Sequence, residues 1–303
     1  MNAPATVTLL APAKINLFLA VTGRRADGYH DLVSVVAPLD FGDALTAITV
    51  RQKPATGEQF SLTCDAAGLP ADSSNLVLRA AAAFAEKTGW AEPVAFDLKK
   101  QIPLGAGLGG GSSNAVTTTL ALNQLSGGVA SPEALAELAA ELGSDCPLFL
   151  AGGPVVMRGR GERVEPLPAP AARRLSGRRV LLFKPGDLGV DTAWAYAQMD
   201  ARGGRDFVTA AEAERRVGAW IAGSAPAEDL LFNNMEPAVF RKYVALPELL
   251  GQLRARFALA AGMSGSGSTC FALLPGAAPV AALTAQIRQA WGDVTWVQLA
   301  TIR

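Results

Sequence analysis

Pro103-Leu104-Gly105-Ala106-Gly107-Leu108-Gly109-Gly110-Gly111-Ser112-Ser113-Asn114 places five glycines in twelve residues. A glycine inside a regular element costs roughly 0.5–1 kcal/mol, so such a run belongs where backbone must approach something closely or take positive φ. Two hydroxyls and an amide follow, and then Ala115 to Leu125, which reads as a helix. Glycines that open onto a helix N-terminus leave free N–H groups beside the positive end of the helix dipole, which is anion-binding chemistry. Phosphate is the expected ligand.

Two better-known glycine motifs compete. Gly105, Gly107 and Gly110 satisfy the dinucleotide pattern G-x-G-x-x-G, but that fold needs a buried, continuously apolar strand just before the motif. Phe96-Asp97-Leu98-Lys99-Lys100-Gln101-Ile102 alternates instead, as a half-exposed antiparallel strand does. No lysine follows the glycines, so the nucleotide loop G-x-x-x-x-G-K-[ST] is absent. A flexible surface loop is the remaining alternative; capping residues and a helix directly after the glycines argue against it.

Four other stretches could do chemistry. Lys14 and Asn16 share one face of a strand whose other face is Ile15, Leu17, Leu19 and Val21. A turn-rich connection, Gly23 to Asp31, carries His30, the only histidine, beside Tyr29. That pair suits stacking on a planar group and hydrogen-bonding its edge, with a plain surface turn as the alternative. Asp145 stands between a helix stop at Gly143 and an apolar run, as a cap or a catalytic carboxylate. Gly262-Met263-Ser264-Gly265-Ser266-Gly267-Ser268-Thr269 lies between a helix and an apolar strand and reads as a second anion-contacting turn.

The elements that must position these residues follow from periodicity. Strands are expected at Val33 to Pro38, Ala44 to Arg51 and Phe60 to Cys64, giving a β-rich N-terminal layer. A helix from Asn75 to Lys87, capped by Ser74, turns Leu76, Ala80 and Phe84 inward. Ser131, Pro132 and Glu133 start another, with Leu135, Leu138 and Leu142 as its buried stripe. Pro166 to Ser176 reads as a domain connection. Beyond it come a strand at Val180 to Phe183, a helix at Thr192 to Met199, a mobile polar loop at Asp200 to Asp206, and a closing helix and strand layer.

The chain as a whole limits the partners. Its 303 residues and 50% hydrophobic content allow two ordinary domains with substantial cores. Lys plus Arg and Asp plus Glu both number 27, so no net field attracts nucleic acid or anionic lipid, and the partner is expected to be a small molecule. No apolar run reaches the length of about 18 residues that a membrane span needs, and Met1-Asn2-Ala3-Pro4 does not open like a signal peptide, so a cytoplasmic protein is expected. Cys64, Cys146 and Cys270 are too few and too scattered for a disulfide framework or a zinc site.

These motifs carry a resemblance. Pro12-Ala13-Lys14-Ile15-Asn16-Leu17-Phe18-Leu19, the loop Pro103 to Ser113, and Gly262 to Thr269 resemble the three motifs of the GHMP kinases, in order and at similar spacing. Within that superfamily, Gly23 to Asp31 and Leu142 to Pro147 are similar to stretches of the kinases that act on 4-diphosphocytidyl-2-C-methyl-D-erythritol. The resemblance spans nearly the whole chain. It implies an α+β fold in two domains, 1–167 and 178–303, the second ferredoxin-like, with the active site in the cleft between them. It also implies phosphorylation of the substrate 2-hydroxyl by ATP with Mg2+, on the non-mevalonate route to isoprenoid precursors. Pro103, Leu104, Gly105, Ala106, Gly107, Leu108, Gly109, Gly110, Gly111, Ser112 and Ser113 would then serve the ATP phosphates, and Asn75 and Leu76 the adenine, with backbone from Lys99 to Ile102. Asp145 would take or orient the hydroxyl proton, and Lys14 would stabilise the alkoxide and keep Asp145 ionised. Tyr29 and His30 would hold the cytidine, while Asn16, Thr192, Gly265 and Ser266 would face the substrate. Oligomeric state is not fixed, and a homodimer stays open.

Some positions depart from the family pattern. Asn234, in Asn233-Asn234-Met235-Glu236, replaces the usual aspartate, and any charge role there is lost. Cys146 and Leu148 replace the commoner Val and Phe, and Asp200 to Asp206 has no family counterpart. The rival readings are a GHMP kinase for mevalonate, homoserine or a sugar, and a nucleotide-binding regulator without catalysis. Tyr29-His30 opposes the first, and intact Lys14, Asp145 and glycine loops oppose the second.

Overall fold

The structure is a computed structural model that describes residues 4–50 and 58–303; Met1 to Ala3, read above for a leader, and Arg51, read above as a strand end, lie outside the described residues. Along the chain come β1 (Thr6–Arg24), β2 (His30–Thr49), β3 (Phe60–Cys64), α1 (Leu76–Thr88), β4 (Val94–Lys99), α2 (Gly110–Leu125) and α3 (Pro132–Leu142). They are followed by β5 (Val155–Gly159), β6 (Arg163–Pro166), α4 (Ala169–Leu175), β7 (Arg179–Lys184), α5 (Thr192–Ala201), α6 (Ala210–Ala222) and β8 (Phe232–Asn233). The chain ends with α7 (Glu236–Phe240), α8 (Ala245–Phe257), β9 (Ala261–Met263), β10 (Cys270–Leu274), α9 (Val280–Trp291) and β11 (Trp296–Thr301).

Two compact units divide these elements. The first comprises the described residues of Met1–Ala13, Phe41–Pro103 and Gly109–Leu150; the second comprises Lys14–Asp40, Leu104–Leu108 and Ala151–Arg303. They interleave along the chain because β1 and β2 each contribute to both. The linear segments 1–167 and 178–303 remain a proposal about domains.

In the first unit the strands run β3-β4-β2-β1. Strand β4 is antiparallel to β2, from Ala44 opposite Lys99 to Thr49 opposite Val94. Its residues alternate as expected, with Val94, Phe96 and Leu98 buried. Those side chains join Leu45, Val77, Phe84, Leu122, Leu135 and Leu138 in one core. Helix α1 starts one residue later than expected. Ser74 spends its hydroxyl on Asp72 Oδ1 at 2.6 Å, so Asn75 caps instead, its Oδ1 accepting from Val77 N at 2.9 Å. The buried stripe is led by Val77 rather than Leu76.

Helix α2 starts at Gly110, well before the expected Ala115. Glycines normally weaken a helix, but here a side chain would be crowded. A Cβ on Gly110 would lie 3.2 Å from Ile102 Cγ2 and 3.3 Å from Lys100 Nζ, and one on Gly111 would lie 3.2 Å from Leu76 Cδ1. The first turn of α2 packs closely enough on the end of β4 and the start of α1 that a larger residue would push those side chains aside.

A buried carboxylate fixes this corner. Asp43 is fully enclosed, and its Oδ1 accepts from Gln101 N and Ile102 N, each at 2.8 Å. Its Oδ2 accepts from Asn114 Nδ2 at 2.9 Å and from Lys100 Nζ. The exit of β4 and the second turn of α2 are thus tied to one anion. Of the Lys99 to Ile102 backbone expected near an adenine, the N–H groups of Gln101 and Ile102 are spent on Asp43.

The second unit has two sheets. In one, β1 lies between β2 and β8, with β5 on β2 and β6 on β5. Here β1 is an interior strand, and residues Ala11 to Val21 are buried on both faces. In the other, β11-β7-β10-β9 pair antiparallel throughout. With α8 before β9 and α9 before β11, this is the β-α-β-β-α-β arrangement of ferredoxin-like folds, and its core includes Leu181, Phe183, Leu250, Leu253, Leu283 and Ile287. The fold is α+β.

Asp43→Ala should cost about 3–5 kcal/mol, because it strands Lys100 and two backbone donors without their acceptor, whereas Asp43→Asn should cost less. Chemical denaturation of the two variants checks this.

Candidate active site

In the second unit, three of the sequence motifs meet. The Lys14 N–H donates to Leu108 O at 2.9 Å, and Thr269 N donates to Ala106 O at 3.3 Å. Ser264 Oγ donates to Gly107 O at 3.0 Å and accepts from Asn16 N at 3.3 Å. Gly107 has φ +73°, and a Cβ there would lie 2.3 Å from Ser264 O, so only glycine fits. A Cβ on Gly265 would lie 3.4 Å from each of Lys14 Nζ, Asn16 Oδ1 and Gly107 O. Gly265 therefore sits directly on the lysine and the asparagine.

Lys14 is buried, not a solvated edge residue. Its Nζ donates to Asn16 Oδ1 at 2.5 Å, so the two side chains of the shared face touch. Asn16 Nδ2 in turn donates to Ser34 Oγ at 2.9 Å, and Ser34 Oγ donates to Phe18 O at 2.6 Å. The result is an oriented ammonium beside a turn of backbone. Thr192, at the start of α5, shares a hydrogen bond of 2.8 Å with Ser266.

The end of β8 and the residues just after it hold that turn. Asn233 Nδ2 donates to Met263 O at 2.9 Å and to Gly265 O at 2.8 Å. Glu236 Oε1 accepts from Met263 N at 2.9 Å. Asn16, Asn233, Glu236 and Arg254 also line a cavity of about 230 Å³. Burial pushes the Glu236 carboxyl above its usual range, opposed by the Met263 N–H and by Arg254.

In the first unit, the start of α2 is bare. Its first intrahelical bond is Ser113 N to Gly109 O at 2.9 Å, so the N–H groups of Gly110, Gly111 and Ser112 precede the ladder. Gly109 supplies no side-chain cap, and the first turn holds no acid. Ser113 Oγ is sealed from solvent and has no hydrogen-bond partner among the described residues. Ser112 hydrogen-bonds the Cys146 thiol, which burial nevertheless pushes up to about 11. Asp145, half-buried beside it, has no hydrogen bond or ion pair to any described residue, so it caps no helix. Asn75 is committed to capping α1 and to Pro70 O, while Leu76 packs against Gly111.

Tyr29 and His30, adjacent in sequence, part company in space. Tyr29 is exposed, with the Arg160 guanidinium 4.7 Å from its ring centroid. His30 is buried and stacks on Tyr196, with centroids 4.4 Å apart and planes at 14°. Its Nε2 lies 2.9 Å from Asp200 Oδ1.

The stretch from Asp200 to Asp206, expected to be a mobile polar loop, is instead a tied turn. Asp200 closes α5, Phe207 N donates to Gly204 O at 2.9 Å, and Asp206 pairs with Arg202 at 2.7 Å. Asn234 explains why it stays in place. Its Oδ1 accepts from Val21 N at 2.8 Å, and its Nδ2 donates to Val21 O at 2.8 Å and to Asp206 O at 2.9 Å. A carboxylate cannot donate to two carbonyls. Asn234 and the turn after α5 are therefore one structural device.

Residues 75–153 match the GHMP kinases N terminal domain and residues 214–293 match GHMP kinases C terminal. The 4-diphosphocytidyl-2-C-methyl-D-erythritol kinase of Synechococcus sp. (strain CC9311) is 40% identical over 286 residues, covering 89% of this chain and 87% of the relative. The chain belongs to this kinase family. A crystal structure of a 4-(cytidine 5'-diphospho)-2C-methyl-D-erythritol kinase is similar with a TM-score of 0.75 and 35% identity, over 97% of this chain and 99% of that one. The homoserine kinase of Cytophaga hutchinsonii, with a TM-score of 0.69 and 19% identity over 98% of this chain and 95% of that one, shares the GHMP kinase fold. Within the second unit Gly107, Lys14 and the second Gly/Ser turn come together, whereas the sequence reading gave no site role to Asp43, Tyr196 or Asp200. Among the described residues, no helix is long and apolar enough to cross a membrane.

Glu236→Gln should raise Tm at about pH 8 and leave it nearly unchanged at about pH 4. A carboxyl with a raised folded-state pKa costs stability only when deprotonated; equal gains at both pH values would point to packing. Asn234→Asp should cost about 1–3 kcal/mol, because it takes the amide donor from Asp206 O and sets a carboxylate against Val21 O. It should also speed hydrogen exchange at Val208, whose N–H donates to Val21 O at 3.2 Å.

Proposed function

We propose that the protein transfers the γ-phosphoryl group of ATP to the 2-hydroxyl of 4-diphosphocytidyl-2-C-methyl-D-erythritol, giving the 2-phosphate and ADP on the non-mevalonate route to isoprenoid precursors. The observation that carries this reading is the bare, glycine-opened start of α2 with an unpartnered buried hydroxyl at Ser113, in a chain whose relatives bear that kinase's name. Phosphoryl transfer asks a protein mainly for positioning and for neutralisation of charge.

The α2 N–H groups and the loop Pro103 to Ser113 bind the ATP phosphates. Leu76 flanks the nucleotide; Asn75 contributes by fixing the start of α1, since its side chain is spent. A Mg2+ ion bound with the nucleotide would be held by the Ser112 or Ser113 hydroxyl and would screen the phosphate charge. Asp145, with no competing partner, takes or orients the proton of the attacking hydroxyl. Lys14, aimed by Asn16, supplies positive charge to the developing alkoxide. Gly265, Ser266 and Thr192 form the substrate side, and His30 with Tyr29 meets the cytosine base. The ordered aromatic setting of His30 favours a substrate that carries a base over mevalonate, homoserine or a sugar.

An ADP-release assay with ATP, Mg2+ and each of 4-diphosphocytidyl-2-C-methyl-D-erythritol, mevalonate, homoserine and galactose should show turnover with the first alone. Asp145→Asn should lower that turnover by about 10²–10⁴ while ATP still binds. Turnover on another acceptor, or an unimpaired Asp145→Asn enzyme, would overturn the substrate or the base respectively.

A further inference from the structure

Strand β9 is the edge of its sheet, paired with β10 on one side only. Leu273 N donates to Ala260 O and Ser264 N to Thr269 O, each at 2.9 Å, so Ala261 and Met263 turn their backbone groups away from β10. Side chains stand where a further strand would. Glu236 Oε1 accepts from Met263 N, Asn233 Nδ2 donates to Met263 O, and Arg254 Nη2 donates to Ala261 O at 2.7 Å. One group of that edge is left over: among the described residues, Ala261 N has no acceptor.

The cavity of about 230 Å³ runs along this edge, with Leu17, Leu231, Phe232, Leu259 and Phe271 as its apolar wall. Drug-sized ligands occupy about 300–1,000 Å³, so its occupant is smaller. Asn16 and Asn233 line it too, but their amides are spent on Lys14, Ser34, Met263 and Gly265. Glu228 pairs with Arg178, Arg216 lies 4.8 Å from the centroid of the Phe232 ring, and burial keeps the Cys270 thiol neutral. Arg254 forms no salt bridge with any described residue. The second oxygen of Glu236 has no hydrogen-bond partner among the described residues, and burial favours its protonated form. The groups left to an occupant are therefore a guanidinium, a backbone N–H and a carboxyl inclined to keep its proton. All three donate, and what they suit is an anion with a carbon body.

We propose that this cavity is a second binding site, for a short-chain aliphatic carboxylate whose oxygens take Arg254 and the Ala261 N–H and whose chain lies on the apolar wall. The Glu236 carboxyl adds a third donor while it holds its proton. An occupant then touches the same side chain that holds Met263 N, so binding is felt in the Gly/Ser turn. The site uses neither the glycine loop nor Asp145, and it stands whichever acceptor the kinase phosphorylates.

The test titrates pentanoate into the full chain labelled with 15N and follows the backbone amides. Pentanoate should move the Ala261 and Met263 resonances, whereas pentan-1-ol and pentylamine, of the same length without the anion, should leave them in place. Arg254→Gln should weaken pentanoate binding about tenfold, the loss of roughly one charged hydrogen bond. The pH dependence separates Glu236 from the rest. Its folded-state pKa is raised, so the donor is present below that pKa and lost as pH rises through it, and binding should be weaker at about pH 8 than at about pH 6. Glu236→Gln, whose amide can accept from Met263 N and still donate to the ligand, should remove that difference. Pentanoate that leaves Ala261 unmoved, pentan-1-ol that binds equally well, or an Arg254→Gln protein with full affinity overturns the proposal. The unaltered protein decides the first two outcomes even if a variant fails to fold.

Discussion

A helix that must offer its first N–H groups to an anion cannot cap itself. At the start of α2 the run Gly109, Gly110 and Gly111 leaves that end without a side-chain cap, and the first turn holds no acid. It also removes the local signals that normally fix where a helix begins, so the position of that first turn has to be set from outside. Asp43 does this by gathering Gln101, Ile102, Lys100 and Asn114 around one carboxylate. The burial of that charge is tolerable because two backbone N–H groups, an amide and an ammonium satisfy it.

The second unit meets a similar requirement with different means. Its Gly/Ser turn is too small to pack and too rich in glycine to hold itself rigid, so rigidity comes from neighbours. Asn233 and Glu236 bond its backbone from one side, and Ser264 bonds Gly107 O and Asn16 N from within. Lys14 is oriented by Asn16 and enclosed. A buried side chain held in this way is fixed in place with little freedom to reorganise.

Asn234 shows what an amide does that a carboxylate cannot. An aspartate there would accept from Val21 N but would face the carbonyls of Val21 and Asp206 without a hydrogen to give. The amide supplies both polarities, and with it the turn after α5 becomes ordered enough to carry Phe207 against His30. Asp200, at the end of the same helix, then reaches the imidazole edge.

By itself the sequence determined what depends on near neighbours. The Ser131 cap and Gly143 stop of α3, the alternating β4, and the glycine run followed at once by hydroxyls were legible because their causes lie within a few residues. It also carried the three motifs whose order and spacing resemble one kinase superfamily. Only the tertiary structure decided which polar groups are spent and which remain available. Asp43 meets Ile102 across 59 residues, His30 meets Asp200 across 170, and Asn234 meets Val21 across 213. No periodicity or propensity encodes such pairs, because a hydrogen bond between distant residues is fixed by where the packed core brings their backbones. The same reason moved the start of α2 to Gly110: close packing against Ile102, Lys100 and Leu76, not local preference, makes those glycines helical.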